Sequence, residues 1–154
     1  MKIKGYPTNF DLYANLARLE KDEASMQLSN TREELDELNH EIHALKVRII
    51  EHESKVRGYG EANGENIILS EYQMICLNIQ CLSEEANSLC DTETIVKERF
   101  DNQSKELEQK RKLLDKLLEK QASRRSEIVT SIEKKNGMDM DDLWSQVNWV
   151  KLND

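Results

Sequence analysis

Residues 68–128 read ILSEYQMICLNIQCLSEEANSLCDTETIVKERFDNQSKELEQKRKLLDKLLEKQASRRSEI. Alternating steps of four and three from Ile68 visit Tyr72, Ile75, Ile79, Leu82, Ala86, Leu89, Glu93, Val96 and Phe100. The same steps continue through Gln103, Leu107, Lys110, Leu114, Leu117, Gln121 and Arg124 to Ile128. Thirteen of these eighteen stations are apolar. A seven-residue register held this long without a stutter predicts a coiled-coil helix rather than a helix lying on a globular core.

The helix breakers mark where this segment and its neighbours end. The chain of 154 residues has one proline, Pro7, and five glycines, at 5, 58, 60, 64 and 137. Pro7, Thr8 and Asn9 ahead of Asp11 form a helix-start signal, with an acid suited to the positive end of the helix dipole. A first helix is expected over 8–57, after an N-terminal extension of residues 1–7. Gly58, Gly60 and Gly64 place a turn at 58–64, a usual length for a helix-to-helix connection. The second helix then spans 65–136, ending where Lys134 and Lys135 precede Gly137, a C-terminal cap pattern. Residues 138–154 are left for a short C-terminal helix or tail. The fold class is all-α: a long antiparallel helical hairpin, with coiled-coil packing and a short C-terminal helix.

Within the first helix Leu35, Leu38, Ile42, Leu45, Ile49, His52 and Val56 keep one register, while Leu12, Leu16 and Leu19 keep another. A slip in the heptads is therefore expected between Glu20 and Asn30. Folding the chain about residue 62 pairs position i with roughly 124 − i, which exhausts the first helix near residue 115 and leaves about 20 residues of the second projecting. That pairing sets Glu33, Glu34, Asp36, Glu37 and Glu41 against Glu84, Glu85 and Asp91, a concentration of like charge. The polar stations Gln103, Lys110, Gln121 and Arg124 have two readings, as fixers of register or partner choice or as signs of fraying. Leu113 and Leu118 widen the stripe beyond what two helices cover, so a homo- or hetero-oligomeric bundle is expected.

Composition narrows the function classes. With 34% charged residues, 38% hydrophobic and 5% aromatic, the chain has too little apolar material for a thick core. No apolar run approaches the 18–20 residues of a membrane helix, and the N-terminus does not read as a secretory signal, so a cytoplasmic location is expected, possible association with a cytoskeleton included. A formal charge of −8 disfavours nucleic acid. Cys76, Cys81 and Cys90 are an odd number without metal-pair spacing, consistent with reduced thiols. His40 and His43 are three apart rather than four as in HExxH, with no third ligand evident, so no metal is expected. Neither a phosphate loop nor a nucleophile triad is present, so no enzyme activity, catalytic residue, cofactor or small-molecule substrate is expected.

What remains is protein binding. The expected partner surface runs along the later part of the second helix, through Leu107, Leu114, Leu117, Leu118, Arg124, Ile128 and Ile132. Trp144 and Trp149 are added as aromatic anchors. The leading expectation is a structural or scaffold subunit of a multiprotein complex of cytoskeletal, spindle or kinetochore, or trafficking type, binding by helix-on-helix packing. In outline, across residues 8–135, the chain also resembles the flagellar and type III export stalk proteins of bacteria. Those are hairpins of unequal helices, and the resemblance implies an accessory that inserts into a ring-shaped ATPase. A small helical chaperone or adaptor is a third expectation.

Overall fold

The computed structural model describes residues 9–61 and 69–152. The extension 1–7, the first residue of the first expected helix, the 62–64 part of the expected turn, the Ile68 station and residues 153–154 lie outside the described residues. Two helices form: α1, Asn9–Glu61, and α2, Leu69–Leu152. They pack against each other as an all-α helical hairpin. Their contacts fall into two units, one of residues 23–107 and one of residues 1–22 with 108–154.

In the 23–107 unit the expected stripe is the buried one from Ile75 onward, while its station Tyr72 is exposed. Leu82, Ala86, Val96 and Leu107 on α2 are buried, with Ile75, Ile79, Leu89, Phe100 and Gln103 half-buried between them. From α1 come Ile42 and Leu45, flanked by the half-buried Leu35, Leu38, Ile49, His52 and Val56. Leu45, Leu82 and Ala86 form one cluster, joined by Ile49 and Leu89. Val96, at 1% exposure, is the largest side chain fully buried among the described residues. His52 occupies an otherwise apolar station, and its Nδ1 is buried without a hydrogen-bond partner.

Polar groups in this seam find each other across the helices. Thr31 is 4% exposed, and its hydroxyl donates to Gln103 Oε1 at 2.7 Å, with the Gln27 carbonyl 3.1 Å away as the alternative acceptor. Arg99 reaches Glu34 at 2.9 Å. Near the connection the Tyr59 hydroxyl donates to Glu71 at 3.1 Å. That bond, aided by desolvation and the carboxylate charge, holds the phenol's pKa above its ordinary value.

In the unit of residues 1–22 and 108–154, the α1 side of the seam is built of small residues. Ala14 and Ala17 are buried at 1% and 5%, with Phe10 and Lys21 half-buried at the adjoining stations. Leu114 is buried on α2, and Lys110, Leu117, Gln121 and Ile128 are half-buried. Asp11 accepts hydrogen bonds from the Gln121 side-chain amide and from Arg125, the latter at 3.0 Å.

Three expectations are corrected. First, the heptads do not slip. In the 23–107 unit Ala24, Leu28 and Thr31 lead into Leu35, and in the other unit Phe10, Ala14, Ala17 and Lys21 precede them in the same three-four steps. Leu12, Leu16 and Leu19 are 71%, 53% and 67% exposed instead. The register was hidden because its stations there hold alanine, lysine and threonine rather than large apolar residues. Second, the pairing lies further along α2 than 124 − i. Thr31 meets Gln103 rather than residue 93, and Asp11 meets Gln121 rather than residue 113. The helix bounds agree with this shift: α1 continues through Gly58 and Gly60 to Glu61 and α2 begins at Leu69, later than the expected 57 and 65. The shift brings Glu34 to Arg99, so at that point the expected like-charge contact is an ion pair.

Third, α2 does not stop at Gly137 to leave a separate short helix; it runs on to Leu152. A glycine inside a helix costs about 1 kcal/mol relative to alanine, and no proline follows to forbid continuation. A Cβ added at Gly137 would meet nothing within 4 Å.

Two stability measurements check these findings. Thr31→Val leaves the Gln103 amide without its cross-helix partner and is expected to cost about 1–2 kcal/mol in urea unfolding. Thr31→Val/Gln103→Leu is expected to recover most of that loss, giving a coupling energy that independent sites would not show. Gly137→Ala is expected to leave stability unchanged or raise it by up to about 1 kcal/mol; a clear loss would restore the left-handed cap.

Candidate partner-binding surface

The expected binding residues separate by burial. Leu107 and Leu114, at 5% and 8% exposure, are enclosed within the hairpin, so a partner reaches them only by displacing α1. Leu117 and Leu118 are half-buried. Arg124 is exposed and pairs with Glu127 at 3.0 Å, on its own helix. Ile128 is half-buried and, with Asn9, Phe10, Lys120 and Arg124, lines an open groove of about 670 Å³. This is the last α2 position with α1 residues beside it among those groove residues.

Beyond Ile128 every described side chain of α2 is exposed. Ile132 is 39% exposed, while Trp144 and Trp149 reach 66% and 72%. The described part of the tail therefore does not fold back over its own helix. Around these residues stand exposed apolar side chains absent from the expected surface: Val129, Met138, Met140, Leu143 and Val147. Met140, Leu143, Trp144 and Val147 line one shallow depression with Asn148. Their spacing of three, four and seven residues is that of a single helix face.

The signal for this face was present in the sequence, in a register different from that of 75–128. Continuing the earlier steps from Ile128 lands on Ser131, Lys135, Met138, Asp142, Ser145 and Trp149, mostly polar. Positions 129, 132, 136, 140, 143 and 147 instead carry Val, Ile, Asn, Met, Leu and Val. The apolar stripe thus changes face where the residues of α1 end. Charge changes along it too, from Lys134 and Lys135 to Asp139, Asp141 and Asp142.

A second exposed apolar face lies on α1. Leu12, Leu16 and Leu19 sit about half a turn from Ala14, Lys21 and the buried seam, so one helix is apolar front and back. His40 and His43 are exposed on either side of buried Ile42. Cys76 and Cys90 are half-buried and Cys81 is exposed, all as free thiols. Among the described residues no group of three or more His, Cys, Asp or Glu is placed to hold a metal ion. No described helix is long and apolar enough to cross a membrane. No protein-family model, curated protein or solved structure matches the chain.

The front and back of α1 make opposite predictions. Ala17→Leu forces a larger side chain into the closed seam and is expected to cost about 1–3 kcal/mol. Leu19→Glu removes an exposed group and is expected to change unfolding free energy by no more than about 0.5 kcal/mol. Urea melts of the two variants distinguish this arrangement from the one in which Leu19 is the seam residue.

Proposed function

We propose that this protein is a non-enzymatic structural subunit whose helical hairpin holds an exposed helix end ready for helix-on-helix association with protein partners. The observation that supports this reading is the largely apolar face from Val129 to Val147, exposed along its whole length on a helix that already has its own partner upstream. Large apolar side chains left in water at helical spacing are what a groove-binding or bundle-forming helix presents. Two tryptophans within six residues supply the anchor type that dominates binding energy. The upstream stretch, where α1 and α2 cover each other, acts as the coiled-coil support that fixes the direction of this end. Partners of cytoskeletal, spindle or trafficking type in the cytoplasm fit such a subunit.

A second reading is an export-stalk-like accessory. It draws on the inequality of the helices, 53 residues against 84, which is the outline of that class. Stimulation of a ring-shaped ATPase by the purified chain separates it from the scaffold reading.

Affinity capture on the full-length chain tests the partner surface. Proteins retained by the unmodified chain are expected to be lost on Ile132→Ala/Trp144→Ala/Trp149→Ala and kept on Leu19→Glu. An identical set of captured proteins on the triple variant would move binding away from the α2 end.

A further inference from the structure

We infer that the exposed α2 face from Val129 to Val147 docks on the same face of a second copy of this chain, antiparallel, about a two-fold axis near residue 138. The inference rests on the partner-binding reading and names its first partner. Two patterns on this segment share that centre. Counting outward from 138, Val129 falls opposite Val147, Ile132 opposite Trp144, and Asn136 opposite Met140. All six are exposed, and they lie along one side of the helix. Five of the six are apolar, Asn136 being the exception, and Leu143 falls opposite Glu133 at the edge of the stripe. A stripe that is apolar at paired positions in both directions suits an isologous antiparallel contact, in which one patch serves both subunits and the assembly closes as a dimer.

Charge supplies the second pattern. Lys134 and Lys135 lie just before the centre, and Asp139, Asp141 and Asp142 just after it. In an antiparallel pair related by a two-fold axis, residues on one flank of the stripe face the same flank of the other copy. That arrangement brings Lys135 toward Asp139 and Asp142, and Lys134 toward Asp141. The parallel arrangement brings lysine to lysine and aspartate to aspartate at those heights, which like-charge repulsion disfavours. The carbon stems of the lysines reach along the flank while their ammonium groups stay in water. Eighteen residue steps at about 1.5 Å span roughly 27 Å, or five helical turns of contact. A contact of that length, rimmed by exposed charges, suits a dissociation constant on the order of micromolar.

Sedimentation equilibrium on the full-length chain tests this. The unmodified chain, 18.0 kDa as a monomer, is expected to reach twice that mass at tens of micromolar. Lys134→Asp/Lys135→Asp and Asp141→Lys/Asp142→Lys are each expected to weaken the dimer by about tenfold or more, while far-UV circular dichroism stays unchanged. An equimolar mixture of the two variants is expected to form a heterodimer about as tight as the original, because each then meets opposite charge. A monomer at 100-fold above micromolar concentration, a dimer equally tight in both variants, or a mixture no tighter than its components would each overturn the proposal. A monomer that still captures a protein through Trp144 would remove the second copy as occupant and leave the partner-binding reading standing.

Discussion

The hairpin's register depends on polar groups that burial forces to pair. A buried hydroxyl or amide without a partner forfeits its hydrogen bond to water, about 1–3 kcal/mol, whereas apolar side chains tolerate many neighbours. Leucine on leucine therefore permits sliding by whole turns. The part-buried Thr31–Gln103 contact in one unit and the part-buried Asp11–Gln121 contact in the other do not. Gln103 and Gln121 are polar stations that reach across the helices, the contact expected of register fixers. Arg124 bonds to Glu127, one turn along its own helix.

Side-chain size in the seam is the second constraint. At Ala14 and Ala17 α1 presents no bulk, so its apolar surface there is small and its larger side chains stand on the far side. Large residues meet in the 23–107 unit, at Ile42, Leu45, Leu82 and Val96. A seam built on alanine removes less apolar area from water per turn than one built on leucine and isoleucine, and area removed is what stabilises a packed pair of helices. The polar contacts of Asp11 thus matter more where the apolar contribution is least.

Much of the fold was legible in the sequence because burial in α2 follows hydrophobic spacing. The stations from Ile75 to Gln121 are all buried or half-buried. The absence of breakers between residues 65 and 136 also identified one long helix. What was misread shares a cause: residue size and local propensity stood in for position. Leu12, Leu16 and Leu19 drew the register off Ala14 and Ala17 because large apolar residues are the usual core markers. Gly58, Gly60 and Gly137 were taken as boundaries, although a glycine's cost in a helix is about that of one modest contact and the neighbouring residues can outweigh it. Of the exposed apolar residues beyond Ile128, Ile132, Trp144 and Trp149 were singled out from the sequence. Val129, Met140, Leu143 and Val147 were missed because they belong to a register that starts only after the upstream one runs out.

The change of register at the end of α1 has a physical consequence for α2. Upstream, its apolar stations face α1, while Met74, Leu77, Ile95 and Leu113 stand exposed as separate residues elsewhere on its surface. Downstream of Ile128 the apolar face lies on a different side of the same helix. A partner bound there does not need to continue the path of α1, and its contact does not compete with hairpin formation. The hairpin contact and the proposed partner contact thereby use different faces of one continuous helix: the first is set by stations ending at Ile128, the second would be set by those beginning at Val129. Had the stripe kept one face, sliding α1 along α2 would have covered Ile132 and Leu143 at the expense of Thr31–Gln103. The turn of the face and the pairing of the polar stations act together, because each makes the slid arrangement less favourable than the observed one.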